Sequence, residues 1–284
     1  MYIPFTFEAS TLPEIPYDGL VSWLGPRSYP GSGSIWYDQS GNNVNALISG
    51  SLSQSGTDWL FSSQSYLDFG TGSYPAFIPS GSVQNNGNWT FIIYGTLNDN
   101  DNVQGMWSKK ETLTPARAAI DIWWVPFSGS YRTFVDPGFV TGSWTGSQFQ
   151  ISAGNNGGLT YTNPDTPLSG AVDIIPVFNY DENLNSKKMI SFAGCADPFV
   201  PADRKDDRFY INDVLIQTIN GGNPASLQSS GSLYFGKTNS QFSPNPNKTW
   251  PNINQPIISD IFIYRYALTT TQIGQIYTWL TQNR

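Results

Sequence analysis

A tryptophan next to a carboxylate is the first feature of this sequence that suggests binding chemistry. In residues 119–125, apolar side chains alternate with Asp121 and Trp123. Because successive side chains of a strand point to opposite faces, we expect these two on the outward face. There, a tryptophan stacks on a sugar or anchors a protein partner, while the carboxylate accepts hydrogen bonds from hydroxyls. The alternative is that a loop covers Trp123. Trp107 and Trp144 lie near glycine-rich turns and are candidates for the same rim site.

Catalytic groups are scarce in this sequence. The chain contains no histidine, which is the commonest general base and the commonest transition-metal ligand. Without histidine the usual serine triad cannot be built. No glycine-rich phosphate loop precedes a helix. We therefore predict no catalytic residues.

One acidic segment has the ligand type that calcium prefers. Residues 98–102 alternate asparagine with Asp99 and Asp101, and their side-chain oxygens are hard ligands. The segment lacks the downstream glycine and the bidentate glutamate of an EF-hand loop. We interpret it as a polar hairpin loop and predict no metal and no cofactor, with Asp99 and Asp101 as the weak calcium candidates.

The net charge and the N-terminal residues restrict the expected partners and location. The formal net charge is −7, from 14 basic and 21 acidic residues. This charge disfavours nucleic acid and anionic lipid as partners, since both need a cationic face. No apolar run approaches the roughly 20 residues that span a bilayer. Residues 1–5 have neither a basic start nor a continuous apolar stretch, so we expect no secretory signal and synthesis in a host cytoplasm.

The elements that position these residues are predicted to be short strands. Aromatic residues make up 15% of the chain, and 27 glycines and 20 prolines punctuate it, which is typical of strands and turns. We expect one domain over residues 19–284. Residues 1–18 are predicted to be an extended arm because prolines interrupt them, with Phe5 and Phe7 as apolar anchors. The arm either packs on its own domain or lies across a neighbouring subunit.

Two local patterns near the end of the chain are more specific. Residues 208–216 predict a hairpin, since Asn212 and Asp213 tolerate the positive φ of a two-residue turn. Thr269 is a good N-cap, and apolar residues then recur at the spacing of one buried helix face. These apolar residues are Ile273, Ile276, Tyr277 and Leu280.

Several motifs together resemble a known family. Residues 258–269 run Ile-Ser-Asp-Ile-Phe-Ile-Tyr-Arg-Tyr-Ala-Leu-Thr and resemble the closing strand of laminin-G-like domains of the concanavalin A-like superfamily. The 208–216 hairpin, the strand at 233–236 and the opening at 19–42 are similar to parts of the same family, the opening to versions in phage and large-virus structural proteins. The resemblance implies a two-sheet antiparallel jelly-roll sandwich with a short C-terminal helix. Phe262 stands where the family usually has a polar residue, which suggests surface used for contacts. Either this chain or another chain covers it.

The resemblance also defines the functional hypotheses. Glycosidases of this superfamily are similar to one another in a Glu-x-Asp-x-Glu strand, which this sequence lacks, so a glycosidase is a distant alternative and the chain is expected not to be an enzyme. The main hypothesis is a virion structural protein, such as a capsid decoration or fibre component. It would bind other virion proteins, form homo-oligomers and reside in the virion. The alternative is a carbohydrate-binding lectin-like module for attachment to a host surface.

Overall fold

A computed structural model describes most of the strand framework and the C-terminal helix. The described residues are 14–62, 65–71, 89–97, 104–110, 118–125, 129–135, 138–144, 148–153, 177–179, 186–195, 206–220, 232–237 and 256–284. The predicted anchors Phe5 and Phe7 and the calcium candidates Asp99 and Asp101 lie outside these residues, so their roles stay predictions.

The strands are short, in keeping with the density of turn residues in the sequence. They are β1 (Leu20–Leu24), β2 (Ile35–Trp36), β3 (Ala46–Ser49), β4 (Leu52–Ser55), β5 (Asp58–Phe61), β6 (Tyr66–Thr71), β7 (Trp89–Thr96), β8 (Gln104–Lys110), β9 (Ala118–Val125), β10 (Gly129–Val135), β11 (Gly138–Trp144), β12 (Gln148–Ala153), β13 (Val177–Asn179), β14 (Lys188–Cys195), β15 (Asp206–Ile211), β16 (Val214–Asn220), β17 (Ser232–Phe235) and β18 (Ile257–Tyr264). A 3₁₀ turn covers Pro26–Ser28, and the helix α1 covers Thr270–Asn283.

These strands form two eight-stranded sheets and a separate hairpin. Sheet I has the order β16-β15-β14-β7-β18-β5-β4, and β1 also pairs with β18. Sheet II has the order β13-β12-β9-β8-β17-β6-β3-β2, and β10 pairs with β11. The pairings among the described strands are antiparallel. The predicted fold class, a two-sheet antiparallel β structure with one C-terminal helix, is confirmed, and the jelly-roll connectivity stays a prediction.

The main core lies between the inner faces of the two sheets. On sheet II, Leu67, Phe235, Trp107 and Ile122 occupy neighbouring register positions and are fully buried. The ring of Phe91 from sheet I stacks on Trp107, with 4.5 Å between the ring centroids. The apolar alternation of these strands therefore decides which face of sheet II is turned inward.

A second core lies on the outer face of sheet I, where α1 covers it. The helix buries Ile273, Ile276 and Leu280 against this face, in one cluster with Phe262 of β18. Ile15, inside the predicted arm, packs in the same cluster. Phe262 is thus covered by this chain itself and is not contact surface for another chain. An outward apolar residue on β18 is stable here because the helix packs against it.

The helix begins at its predicted N-cap, and the hairpin turns at its predicted turn residues. The Thr269 hydroxyl accepts a hydrogen bond from the backbone N–H of Gln272, and the Gln272 side chain accepts one from the Thr269 N–H, which is a capping box. Asn212 has a φ of 56° in the turn between β15 and β16. Its side-chain oxygen also accepts a hydrogen bond from the N–H of Met189, at 3.1 Å.

Among the described residues, no helix is both long and apolar enough to cross a membrane.

The opening motif around Asp38 organises a loop beside β1. The Asp38 carboxylate accepts hydrogen bonds from the backbone N–H groups of Trp23, Ser40 and Val44 and from the Ser40 hydroxyl. Asn42 donates to the carbonyl of Leu20 at 2.7 Å. These residues therefore hold the loop against the first strand.

A buried tyrosine gives the sandwich a testable pH dependence. The Tyr264 hydroxyl is buried and has no hydrogen-bond partner among the described residues. Burial raises the pKa of this group, and the Tyr17 hydroxyl adds to the effect. The hydroxyl resists ionisation only in the folded state. Its contribution to stability is therefore complete below the unfolded pKa of about 10 and is lost as the pH rises above that value.

We expect Tyr264→Phe to remove this alkaline loss. At pH 7 its free energy of unfolding should equal that of the unsubstituted chain or exceed it by about 1 kcal/mol, because an unsatisfied buried hydroxyl is removed. Urea unfolding at pH 7 to 11 measures both effects. The exposed Tyr37 provides the matched control Tyr37→Phe, which should follow the unsubstituted chain. A Tyr264→Phe curve parallel to the unsubstituted one at high pH would contradict the prediction.

Candidate functional site

One register row crosses sheet II from β3 to β9. Leu47, Asp68, Tyr234, Ser108 and Asp121 are successive register partners on β3, β6, β17, β8 and β9. Their chain neighbours on these strands include the buried residues of the main core. Because side chains alternate along a strand, Leu47, Asp68 and Tyr234 belong to the opposite face, while Ser108 in this row is fully buried.

Two tyrosines form an aromatic pair within this row. Tyr66 lies two residues before Asp68 on β6, so it is diagonal to Tyr234 on β17. The two rings meet edge to face, with 5.6 Å between centroids and 77° between planes. Both residues are half-buried, so each ring is fixed by its neighbours and still reaches the surface. We call Tyr66, Asp68, Tyr234 and Lys237 the tyrosine site.

Lys237 brings a positive charge onto the aromatic pair. Its Nζ lies 4.5 Å from the ring centroid of Tyr66 and 5.0 Å from that of Tyr234. Both distances fall within the range of a cation–π contact, which attracts an ammonium group to the ring electrons. Lys237 directly follows the β17 segment and Gly236, which has a φ of 85°. That turn residue therefore places the lysine next to the rings.

Asp68 supplies an acceptor at the same place. Its Oδ1 accepts a hydrogen bond from the backbone N–H of Gly70 at 2.8 Å, while no described residue donates to its Oδ2. Burial raises the pKa of Tyr234, the nearby Asp68 and Tyr66 raise it further, and a hydrogen bond with the Ser232 side chain acts against this. The Tyr234 hydroxyl is therefore protonated at neutral pH. The tyrosine site thus combines aromatic rings, a carboxylate oxygen and a cation.

Asp121 and Trp123, the binding residues predicted from the sequence, lie on β9 of the same sheet. Asp121 occupies the same register row, opposite Ser108 and Ser152, and Trp123 lies opposite Gly105 and Gln150. Ile122, between Asp121 and Trp123, is buried in the main core. The side chains of Asp121 and Trp123 are outside the description, so their binding role stays a prediction.

Two other candidates have different outcomes. Trp107 is fully buried between Phe91 and Phe235, so the prediction that it joins a rim site is wrong. Its register with Ile122 turns it inward, which proximity to glycines in the sequence does not reveal. Trp144 ends β11 opposite Gly129 in the separate hairpin, and its side chain is also outside the description.

Sequence reasoning did not identify the tyrosine site. The signal was present in the alternation of residues 66–69, where Tyr66 and Asp68 alternate with buried Leu67 and Phe69. The pairing of β6 with β17 is the missing information, because these strands are far apart in the chain. Within the described residues, no group of three or more cysteine, aspartate or glutamate side chains is arranged to hold a metal.

A second polar cluster lies where α1 meets sheet I. Asp260 is fully buried and accepts hydrogen bonds from Arg284 Nε at 2.7 Å and Nη2 at 2.8 Å, from Trp23 Nε1 at 3.0 Å and from the Ser259 hydroxyl at 2.8 Å. Burial acts to lower the pKa of Arg284, but hydrogen bonding to Asp260 and its charge outweigh this and hold the pKa above its usual range. The Arg284 guanidinium also lies over the Trp279 ring. All these groups bind one another, so the cluster attaches the helix to the sheet.

Comparison with known proteins gives structural likeness without sequence relatives. No family model matches the chain, and no curated protein matches it significantly. A Trypanosoma rangeli sialidase in complex with a difluorinated nononic acid is similar with a TM-score of 0.55 and 12% identity, covering 99% of this chain and 36% of the sialidase. The binding domain of botulinum neurotoxin DC in complex with rat synaptotagmin II has a TM-score of 0.54 and 12% identity, covering 94% of this chain and 52% of the other. The same toxin domain in complex with SialylT gives a TM-score of 0.54 and 12% identity, covering 93% and 52%.

These likenesses concern the fold. The chain spans about a third of the sialidase and about half of the toxin domain. They support the sandwich implied by the family resemblance, while the link to phage and large-virus versions of the laminin-G-like domain stays a prediction. None of these three structures is described as a virion protein.

The comparison corrects the prediction that the chain is not an enzyme. Sialidases share its fold over nearly the whole length of the chain, so the statement that this chain is not an enzyme does not hold. The absence of histidine and of one glycosidase motif excluded only particular catalytic sets. The fold shared with sialidases is compatible with other sets of catalytic residues.

Proposed function

We propose that this chain is a carbohydrate-binding module whose sugar site is the tyrosine site on the outer face of sheet II. The observation that carries the proposal is the Tyr66–Tyr234 ring pair beside Asp68 Oδ2. Sugar rings present apolar C–H faces and hydroxyl groups together. Aromatic rings pack against the former, and a carboxylate oxygen accepts hydrogen bonds from the latter.

The similar structures support this proposal over an assembly role. One is a sialidase that holds a sugar-acid analogue, and another is a toxin binding domain in complex with SialylT. The virion role, with capsid or tail proteins as partners and the virion as location, is the main hypothesis from the sequence, and sugar binding is its alternative. No observation on the described residues favours it over sugar binding.

A buried strand position separates the tyrosine site from the predicted binding residue Asp121. Asp121 lies two strands from Tyr234 in the same row, with Ser108 between them. Neighbouring strands are spaced about 4.8 Å apart, so Asp121 lies about 10 Å from Tyr234 along the row. Ser108 is fully buried, so the surface is not open from Tyr234 to Asp121, and the proposed sugar site is limited to the tyrosine site. The binding role of Asp121 and Trp123 stays a prediction.

We expect the full chain to bind glycans on an array, and Tyr234→Ala to weaken that binding about tenfold. The factor corresponds to losing about 1.4 kcal/mol of ring contact. Tyr17→Ala is the matched control, because Tyr17 is also an exposed tyrosine but lies near Tyr264 of sheet I. Circular dichroism and urea unfolding check that both variants fold.

Two results would overturn the proposal. One is a folded chain that binds no glycan on an array that covers neutral and acidic sugars. The other is a folded Tyr234→Ala chain that binds the same glycans as tightly as the Tyr17→Ala control.

A further inference from the structure

The charge of Lys237 is not neutralised within the tyrosine site. Its Nζ lies over the two tyrosine rings, and no carboxylate of the described residues forms an ion pair with it. The ring electrons hold the ammonium group in place without cancelling its charge. Lys187 provides a contrast, since it also lies over a tyrosine ring but forms a 2.7 Å ion pair with Asp58. Lys237 therefore keeps the capacity to bind an anion.

The anion must also tolerate the acidic surroundings. Asp68 lies in register with Tyr234 on the neighbouring strand, and the chain as a whole carries a net charge of −7. A simple anion is repelled by these charges, and one lysine offers little to offset that repulsion. A ligand that carries an anion at one end and hydroxyl groups at the other uses both Lys237 and Asp68 favourably.

We infer that the tyrosine site selects acidic sugars, meaning saccharides that end in a sialic acid or a hexuronic acid. The sugar carboxylate binds Lys237 Nζ, hydroxyl groups donate to Asp68 Oδ2, and apolar C–H groups of the sugar contact the Tyr66–Tyr234 pair. A tyrosine is uncharged at neutral pH, and burial raises the pKa of Tyr234 further, so its ring contact adds no repulsion toward the carboxylate. This inference rests on the proposed function, because it names the sugar class of the same site.

The experiment compares each acidic glycan with its own uncharged form. An array carries oligosaccharides that end in a sialic or a hexuronic acid, each printed both as the free acid and as the carboxamide. The full chain is tested together with Lys237→Met, Lys237→Arg and Tyr234→Ala. Lys187→Met serves as the matched control, since it removes a ring-contacting lysine on the other sheet.

We expect the unsubstituted chain to bind the acids about tenfold more tightly than the amides, which corresponds to one charge-assisted hydrogen bond. Lys237→Met should lower acid binding to the amide level and leave amide binding unchanged. Lys237→Arg and Lys187→Met should keep the preference. Raising the salt concentration should weaken acid binding more than amide binding, because screening acts on the ionic contact.

The possible negative results distinguish the acidic-sugar inference from the proposed carbohydrate-binding function. Equal binding of acid and amide by the unsubstituted chain overturns the acidic-sugar inference and leaves the carbohydrate site intact. A folded Lys237→Met chain that loses acid and amide binding equally also overturns it, because the lysine then acts only by shaping the site. Absence of binding to every glycan overturns the inference and the proposed function together.

Discussion

Replacing Arg284 with methionine is expected to lower the free energy of unfolding by about 3–5 kcal/mol, because it leaves the charge of Asp260 buried without its partner. Asp260 is fully buried, and the Arg284 side chain is 13% exposed in this ion pair. Trp23 Nε1 and the Ser259 hydroxyl would remain as donors to the carboxylate, but neither carries a positive charge. Equilibrium urea unfolding measures the loss.

A double substitution shows whether the loss comes from the unpaired charge. Asp260→Leu combined with Arg284→Met removes both charges, and we expect it to recover a large part of the stability, since an apolar pair can replace a buried ion pair. The Lys187–Asp58 pair is the control, because its side chains are 28% and 13% exposed. Lys187→Met should cost about 1 kcal/mol or less. A loss in Arg284→Met as small as this would show that the Asp260 pair does not hold α1.

Phe262→Ala is expected to destabilise the chain by about 3–5 kcal/mol, the usual cost of removing a buried phenylalanine side chain. The Phe262 ring stacks on Trp23 with 5.7 Å between centroids, and Trp23 in turn meets Trp279 of α1 edge to face at 5.3 Å. The substitution therefore opens a cavity beneath the helix. Hydrogen exchange of the α1 backbone amides should speed up together with the loss in stability.

The control for Phe262→Ala is an apolar residue that the chain leaves uncovered. Val214 is 58% exposed on β16, so Val214→Ala should change the free energy of unfolding by about 0.5 kcal/mol or less. If Phe262→Ala behaves like this control, α1 does not close the outer face of sheet I. The second core described above would then be absent in solution.

The sequence predicted those parts of the fold that depend on neighbouring residues. The hairpin follows from Asn212, whose side chain tolerates a positive φ, and the helix start follows from Thr269 and its capping box with Gln272. The buried face of α1 follows from the spacing of its apolar residues. Such signals act over a few residues, so they can be read without knowing the tertiary structure.

The functional surface was predicted only in part, because it depends on strands that are far apart in the chain. Asp121 and Trp123 follow from the alternation of one strand, whereas the tyrosine site needs β6 to lie beside β17. Trp107 shows the same limit, since its inward position depends on the register of β8 with β9 and β17. Strand order is decided by which faces bury together across the whole chain, and local patterns carry little information about it.

The sequence by itself thus determined a strand-rich chain with a specific hairpin turn, a capped C-terminal helix and a net negative surface. Only the tertiary structure decided that α1 covers Phe262, that Asp260 pairs with Arg284, and that Lys237 meets Tyr66 and Tyr234. The physical reason is the range of the interactions. Turn geometry and capping join residues within one or two turns of chain, whereas burial, ion pairing and ring contacts join residues that only the completed sheets bring together.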